Sequence, residues 1–379
     1  MGDDGLHLRA TLFIYIEPTP YVLGFIRRIA ELHKAPVEVA FIAENVSQPW
    51  NLALREAPAS RLPKGTFAAG MALAKRLSSG RYGRLHLAGW GHPVLISALL
   101  LGWLHRIPVF MNSDTPLPVR SPIWKRVVKR LFYPVLFGIP EKVLAAGSRQ
   151  AEYFRHYGVD DDRIVKLQLT VDVAEIMRRS EAIRMEGARP AIRREFGLAE
   201  SQTVFIYVGR LEAHKGIGGL LEAFEALIQT RADADLLIVG DGRQRPRVEA
   251  AVRANHAVKY AGRLDMDGVI RAYNCADVAL VPSAFEPWGL VVNEAMACGL
   301  PVIASDRVGC VDDLVKHGVT GLVFAAGSSE RLRESMLYLL ENPGRRIEMG
   351  QAGRRLISGW TLEDQARIVW EAWQLGAYS

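Results

Sequence analysis

The residues best suited to chemistry in this chain are two carboxylates and two cations. Glu286 and Glu294 sit eight apart in Phe285-Glu286-Pro287-Trp288-Gly289-Leu290-Val291-Val292-Asn293-Glu294-Ala295-Met296-Ala297, a stretch that reads as a loop entering a helix, with a buried strand following at Pro301–Ser305. A helix start offers backbone N–H groups without intrahelical partners and a partial positive charge, both suited to a phosphate. The flanking carboxylates are then left to accept hydrogen bonds from sugar hydroxyls. A spot that attracts anions, with hydroxyl acceptors on both sides, suggests a nucleotide-sugar pocket.

The cations lie in Val208-Gly209-Arg210-Leu211-Glu212-Ala213-His214-Lys215-Gly216. A strand ends at Val208, Gly209 permits a tight turn, and Arg210 and Lys215 sit in the loop before the next helix. A planar guanidinium fork beside a point-charge ammonium makes a good diphosphate clamp; the plainer reading is two solvated basic residues. Leu237-Ile238-Val239-Gly240-Asp241-Gly242 ends a second strand in a glycine turn at the same sheet edge, where the backbone at Gly240 and Asp241 can approach a ligand. Asp241 could equally be a simple cap. Arg263, after Tyr260-Ala261-Gly262, is placed to reach a base or phosphate or else to lie at the surface.

In order and spacing these segments resemble the retaining glycosyltransferases of family GT4, within the GT-B superfamily. The matching features are Gly209-Arg210-Leu211 with Lys215-Gly216, then Val239-Gly240-Asp241-Gly242, then Glu286 and Glu294 within Pro282–Asp306, then the Gly318 to Gly321-Leu322 turn. They cover most of residues 203–325. The resemblance implies that Arg210 and Lys215 contact the donor diphosphate, Glu286 the hydroxyls of the transferred sugar, and Glu294 the ribose. The N–H groups of Gly289, Leu290 and Val291 would cap the distal phosphate. It also implies departure of the diphosphate without a metal, stabilised by fixed cations and the helix start, with anomeric configuration retained.

The elements that must position these residues follow from the alternation along the chain. Short β-branched runs (Ala10–Ile16, Val37–Ile42, Leu85–Trp90, Ile107–Met111 and Lys142–Ala145, then Thr203–Val208, Asp235–Val239, Val258–Tyr260, Val278–Val281, Pro301–Ser305 and Gly321–Phe324) alternate with amphipathic stretches such as Gly219–Gln229 and Asp265–Asn274. That pattern predicts an α/β protein with parallel sheets. An Arg- and Glu-rich break at Ala174–Arg194 divides it, so the fold expected is GT-B: two doubly wound, Rossmann-like domains, residues 1–180 and 190–360, facing a central cleft. The last helix, within 361–379, is expected to pack back on the first domain, which would bind the acceptor while the second binds the donor.

The first half is less specific. Relatives often carry a glycine-rich loop after the first strand; here the loop is Ile16-Glu17-Pro18-Thr19-Pro20-Tyr21, the Pro-x-Pro-Tyr form of a subset. Trp90-Gly91-His92 and Asn112-Ser113-Asp114-Thr115 also follow strands. Tyr21, His92 and Asp114 are the acceptor-side candidates, with Asp114 the one to orient an acceptor hydroxyl and so grouped with Glu286, Lys215 and Arg210 as catalytic. The plainer readings are an Asx-type turn before Pro116 and a turn histidine. Arg120–Pro134 carries Arg120, Lys125, Arg126, Lys129 and Arg130 with no acid, interleaved at helical spacing with Trp124, Val127, Val128, Leu131 and Phe132. Such a helix can lie on an anionic membrane or pack on the sheet with a solvated basic face.

Composition narrows the classes. The 379 residues are 49% hydrophobic and 23% charged, with net charge +6 and a pI near 9.2, enough chain for two cores. The excess suits a phosphate-rich ligand or an anionic surface, and no nucleic-acid motif accompanies it. Three cysteines, Cys275, Cys298 and Cys310, show no CxxC spacing, so a disulfide framework or zinc site is not expected and a reducing compartment is. No signal peptide is read at the acidic start, and the longest apolar run, near Ile96–Leu104, is far short of a bilayer span. The Asp-x-Asp matches at 160–162, 233–235 and 265–267 do not sit on loops after buried strands, so no metal is expected; Gly216-Ile217-Gly218-Gly219 does not fit the dinucleotide fingerprint.

The expected function is metal-independent, retaining transfer of a sugar from a nucleotide-diphospho-sugar, UDP ahead of GDP, to a lipid-linked saccharide in polysaccharide or glycolipid assembly. The expected location is cytoplasmic, peripheral on the inner face of the membrane. The alternatives are a soluble small-molecule acceptor, a GT-B-like epimerase or phosphorylase, and a non-catalytic nucleotide-sugar binder.

Overall fold

In the computed structural model, which describes residues 9–32, 36–43, 59–118 and 122–375, the chain forms two units: residues 1–169 with 362–379, and Thr170–Thr361. The first unit contains β1 (Ala10–Tyr15), α1 (Pro20–Leu32), β2 (Val37–Phe41), β3 (Ala59–Arg61), α2 (Thr66–Leu77), β4 (Tyr82–Ala88), α3 (Pro93–Leu104), β5 (Val109–Ser113), α4 (Ile123–Gly138), β6 (Lys142–Ala145), α5 (Ser148–His156) and β7 (Ile164–Lys166). Its seven strands pair in parallel in the order β3-β2-β1-β4-β5-β6-β7. Buried on both faces, they read as continuous apolar runs. The period-2 alternation sends Leu12, Ile14, Leu85, Leu87, Val109 and Met111 to one face, against α2, α3, α5 and Phe137 of α4. It sends Phe13, Tyr15, Phe110 and Leu144 to the other, against α1 and the C-terminal helix Leu362–Leu375. Val369 and Trp373 of that helix are fully buried there, and Arg28 of α1 pairs with Glu363 at 2.8 Å.

The second unit contains α6 (Val173–Met185), α7 (Arg189–Glu195), β8 (Thr203–Val208), α8 (Ile217–Ile228), β9 (Ala234–Val239), α9 (Arg245–Ala254), β10 (Val258–Gly262), α10 (Met266–Cys275), β11 (Val278–Val281), α11 (Leu290–Ala297), β12 (Val302–Ser305), α12 (Val311–Leu314), β13 (Gly321–Phe324), α13 (Ser329–Glu341) and α14 (Pro343–Ile357). Six parallel strands run in the order β10-β9-β8-β11-β12-β13. Ile217, Leu220, Phe224 and Leu227 of α8 and Leu332, Met336 and Leu339 of α13 cover one face. The Arg-rich break at 174–194 is not a linker: its first part is α6, which packs on α10 and α11 within the second unit. Arg193 of α7 is buried because Asp277 receives it at 2.7 Å and the carbonyls of Cys275, Glu200 and Gln202 accept its other N–H groups.

Two short edge strands, β3 and β7, were not expected from sequence. At three residues each, with no residue fully buried, they carry no periodicity to read. Chain order places a topological switch in each sheet. The chain leaves β1 toward β2 and β3, then returns to β4 on the other side; it leaves β8 toward β9 and β10, then returns to β11. Loops after the strands flanking such a switch diverge and leave a crevice at the carboxyl edge.

Candidate functional site

In the second unit the loops after β8 and β11 flank that switch and are tied together close to their strand ends. The β8 loop runs through a single 3-10 turn, Ala213–Lys215, and Gly216 then starts α8 with φ +78°. The amide of Ala284 donates to the His214 carbonyl at 2.8 Å, tying the two loops together. Across this tie the Lys215 ammonium and the Glu286 carboxylate form an ion pair through Nζ and Oε2, each side chain only 14% exposed. The Ser283 hydroxyl stands 3.5 Å from the same carboxylate oxygen. Two groups 71 residues apart thus form one partly desolvated pair, the kind of arrangement that holds charges fixed before a substrate arrives.

Glu286 is anchored through its backbone. Its amide donates to the Arg307 carbonyl, and its carbonyl accepts from Gly309 at 2.9 Å. Gly289 turns the loop into α11 at φ +103°, where a Cβ would lie 2.9 Å from Val308 Cγ1 and 3.3 Å from Glu286 Cγ; only glycine fits. Trp288, buried beneath, donates to Asn293 Oδ1 at 3.2 Å and stacks on Trp360, and Asn293 in turn donates to the Thr170 hydroxyl. Among the described residues the amides of Gly289, Leu290 and Val291 find no main-chain acceptor. They remain as donors at the positive end of α11.

Glu294 lies one turn further on. The Tyr273 hydroxyl on α10 stands 3.3 Å from its Oε2 and 3.4 Å from the Val291 carbonyl. Desolvation pushes the Glu294 carboxyl up to about 7, countered by the Tyr273 hydrogen bond. Arg210 is exposed in the β8 loop, its carbonyl accepting from the Tyr207 hydroxyl at 2.8 Å. Gly240 follows β9 at φ +136°, and a Cβ there would fall 1.8 Å from the Gly209 carbonyl, so the β8 and β9 turns touch through bare backbone. Asp241 caps its own turn, accepting from the Gly242 amide at 2.8 Å. Arg263 is exposed after β10. The structure therefore brings Lys215 and Glu286 into contact, sets the start of α11 and Glu294 beside them in sequence and fold, and leaves Arg210, Asp241 and Arg263 at the solvent-facing edge. Ser283, Tyr273 and the Trp288–Asn293–Thr170 support were missed from sequence. A tyrosine at the end of one helix carries no local mark of pointing at a carboxylate 21 residues later.

The first unit's switch is lined differently. Tyr21, at the start of α1, is half-buried; desolvation, together with the nearby Asp114 and Glu17 carboxylates, raises its phenol, and a hydrogen bond from Thr19 opposes this. Tyr21 and Asp114 are thus electrostatic neighbours. Asp114 is exposed after β5, with its carbonyl accepting from Gln150. His92 caps α3, its Nδ1 accepting from the Val94 amide at 3.2 Å ahead of Pro93. One ring nitrogen thus serves as a helix cap.

The same unit bears an apolar surface. α4 buries only Phe137, while Ile123, Trp124, Val127, Leu131, Phe132 and Val135 are each more than half exposed. Lys125, Arg126, Lys129 and Arg130 run between them; Arg120 lies outside the described residues. α2 and α3 share that face of the sheet and expose Phe67, Met71, Trp103 and Leu104. Among the described residues no helix is long and apolar enough to cross a membrane, no group of three or more His, Cys, Asp or Glu could hold a metal ion, and all three cysteines are buried.

Two parallel doubly wound sheets, with ion-paired loops at the switch of the second, define a GT-B fold. Residues 188–356, most of the second unit, match the family of glycosyl transferases group 1. The chain is 28% identical over 308 residues to a D-inositol 3-phosphate glycosyltransferase of Rhodococcus jostii, covering 78% of this chain and 64% of that protein. It is 34% identical over 184 residues to a GDP-mannose-dependent monoacylated alpha-(1-6)-phosphatidylinositol monomannoside mannosyltransferase of Corynebacterium glutamicum, covering 46% of this chain and 48% of that one. It therefore spans less than two thirds of the length of either. Among solved structures it resembles Anabaena HepE in complex with UDP, with a TM-score of 0.75 at 18% identity over 97% of this chain and all of that one.

Proposed function

We propose that this protein is a retaining, metal-independent glycosyltransferase that moves a sugar from a nucleotide-diphospho-sugar, UDP ahead of GDP, to an acceptor hydroxyl. The observation that carries the reading is the Lys215–Glu286 pair beside the free amides of α11. On donor binding Lys215 turns to the diphosphate, joined by Arg210, while Glu286 accepts from hydroxyls of the transferred sugar and Glu294 from the ribose. Gly289, Leu290 and Val291 cap the distal phosphate; Gly209, Gly240 and Asp241 give backbone approach, and Arg263 the outer rim. The acceptor oxygen attacks the anomeric carbon on the face the diphosphate leaves. The C–O bond to the distal phosphate breaks, and the hydroxyl proton passes to the departing phosphate oxygen. Fixed cations and the helix start stabilise the developing charge without reorganisation. Asp114, with Tyr21 as its neighbour, orients the acceptor hydroxyl.

The acceptor is a lipid-linked saccharide or glycolipid, reached from an anionic membrane on which α4 lies. Support comes from the apolar and basic character of α4 and from the C. glutamicum relative, whose name places a phosphatidylinositol on its acceptor. The R. jostii relative's name carries an inositol phosphate, and that keeps a small-molecule acceptor as the second reading. The test is a thermal-shift panel with UDP, GDP, ADP and TDP, each with and without EDTA. A ligand at 100 times its Kd adds about 2.7 kcal/mol. A rise with one nucleotide, indifferent to EDTA, names the donor class; no rise with any, joined to full donor turnover by Glu286→Ala, removes the reading. Flotation with anionic vesicles tests the membrane contact, and no binding excludes it.

A further inference from the structure

We propose that Tyr273 is a positioning residue for the donor nucleotide: set between the Val291 carbonyl and the Glu294 carboxylate, it holds Oε2 of Glu294 and leaves Oε1 to the ribose. The inference rests on the reading of Glu294 as the ribose acceptor and goes beyond it.

The geometry comes first. Tyr273 is 2% exposed on α10, and its hydroxyl is 3.3 Å from Glu294 Oε2 and 3.4 Å from the Val291 carbonyl. One O–H thus faces two acceptors on the first turns of α11, one on its backbone and one on its side chain. A phenol has a single proton to donate, so it ties the carboxylate to the helix start whose amides face a phosphate. Burial raises the Tyr273 phenol well above its ordinary value, so it stays a donor throughout the physiological range.

Among the described residues, no cation contributes to the shift of the Glu294 carboxyl. From α10 it faces Tyr273; along α11 it faces Cys298, whose thiol burial and the Glu294 charge push up to about 12. Tyr207 of β8 stands behind Tyr273. From α6, Arg184 is spent on the Cys298 carbonyl and Ser180 on Asn274. Among the described residues, burial and Tyr273 alone set the carboxyl, at about 7. Ribose hydroxyls donate more strongly to the carboxylate than to its protonated form, so a bound nucleotide lowers this value and expels the proton. Affinity therefore rises with pH up to the free carboxyl's titration and levels off above it.

The probe is UDP-glucose, whose two phosphates do not titrate near neutrality, with GDP-mannose as the alternative donor. Its binding to the full chain is measured calorimetrically from about pH 5.5 to about pH 8.5 in buffers of differing ionisation enthalpy. Wild-type affinity should fall about tenfold from pH 8 to pH 6, with proton release at the lower end. Glu294→Gln should bind more weakly with a flat profile. Tyr273→Phe, which keeps the buried ring, should move the midpoint to higher pH. Infrared titration without ligand should show a carboxyl band near neutrality that Glu294→Gln removes. Equal profiles in wild type and Glu294→Gln, or an unmoved midpoint in Tyr273→Phe, overturn this inference alone. No binding of either donor at any pH, with the carboxyl band present, removes the nucleotide reading and this inference with it.

Discussion

The two sheets have the same construction at their switch points and line them with different chemistry. In the second unit, the loops after β8 and β11 bring a cation and a carboxylate into a half-buried pair, over a glycine-started helix. In the first, the loops after β1, β4 and β5 present a half-buried phenol, an exposed Asp114 and a histidine committed to capping α3. The first unit instead concentrates its distinctive residues on one helix-covered face, as exposed apolar and basic side chains. The lesson is a division of labour. The second unit's charged pair is fixed by long-range pairing between two loops, whereas the first unit's apolar and basic side chains stay exposed on one helix.

The largest expected effect breaks the comparison on the second unit's side. Glu286→Ala should lower turnover by about a hundred- to a thousandfold, the range for removing one preorganised electrostatic group. From sequence alone the loop carboxylate has little structural role; in the structure its loss also leaves Lys215 without its partner, which costs about 1–3 kcal/mol. Lys215→Ala should weaken donor binding and slow turnover. A double-mutant cycle reading stability and turnover separates the roles: the pair's coupling belongs in stability, and each residue's own contact with donor belongs in rate. Near-full activity in both single variants would falsify the site.

On the first unit's side, replacing Lys125, Arg126, Lys129 and Arg130 together by serine should cut partition onto anionic vesicles by up to about a thousandfold, at about 1 kcal/mol per basic residue near the surface. Donor hydrolysis without acceptor should stay unchanged, since these residues lie in the other unit from Lys215 and Glu286. Loss of hydrolysis with intact vesicle binding would reverse the assignment of roles.

Much of the second unit is legible in the sequence because its functional residues are local to strand ends. Val208-Gly209-Arg210 and Pro282 to Gly289 each mark a strand stop, and the spacing from Glu286 to Glu294 is short enough to be read along one segment. The Lys215–Glu286 contact is not local; it exists because β8 and β11 are sheet neighbours, a fact of topology. Tyr273 is hidden for the same reason. In the first unit, Pro18-Thr19-Pro20 and Asn112-Ser113-Asp114 are marked as turns, but nothing in them says which side chain faces outward. His92 is the instructive case: a polar residue before a proline at a strand exit reads as a turn residue or a site, and the structure shows its Nδ1 accepting from the Val94 amide.

A smaller effect concerns stability against pH. The folded Glu294 carboxyl is raised to about 7 from an ordinary carboxylate value. The unfolded chain ionises first, so this group's contribution is fully present below its unfolded value and lost as pH rises through about 7. Glu294→Gln should therefore raise the unfolding midpoint by a few degrees at about pH 8 and change it little at about pH 5. A gain confined to acid would reverse the sign and deny the desolvation.

The smallest effect is the sharpest test of the first unit. If His92 serves only as the cap of α3, His92→Ala should cost about 1 kcal/mol. That would lower the midpoint by about 2–4 °C and leave turnover at saturating acceptor within about twofold of wild type. His92→Asn, which keeps a capping oxygen, should recover most of the stability. Asp114→Ala should behave in the opposite way, because an exposed side chain contributes little to folding while a group that orients an acceptor hydroxyl moves the rate. The pair of variants therefore separates two residues that look alike in sequence. Should His92→Asn restore stability but not rate, the imidazole has a second duty beyond the cap, and the first unit's switch point is a built site in the same sense as the second's.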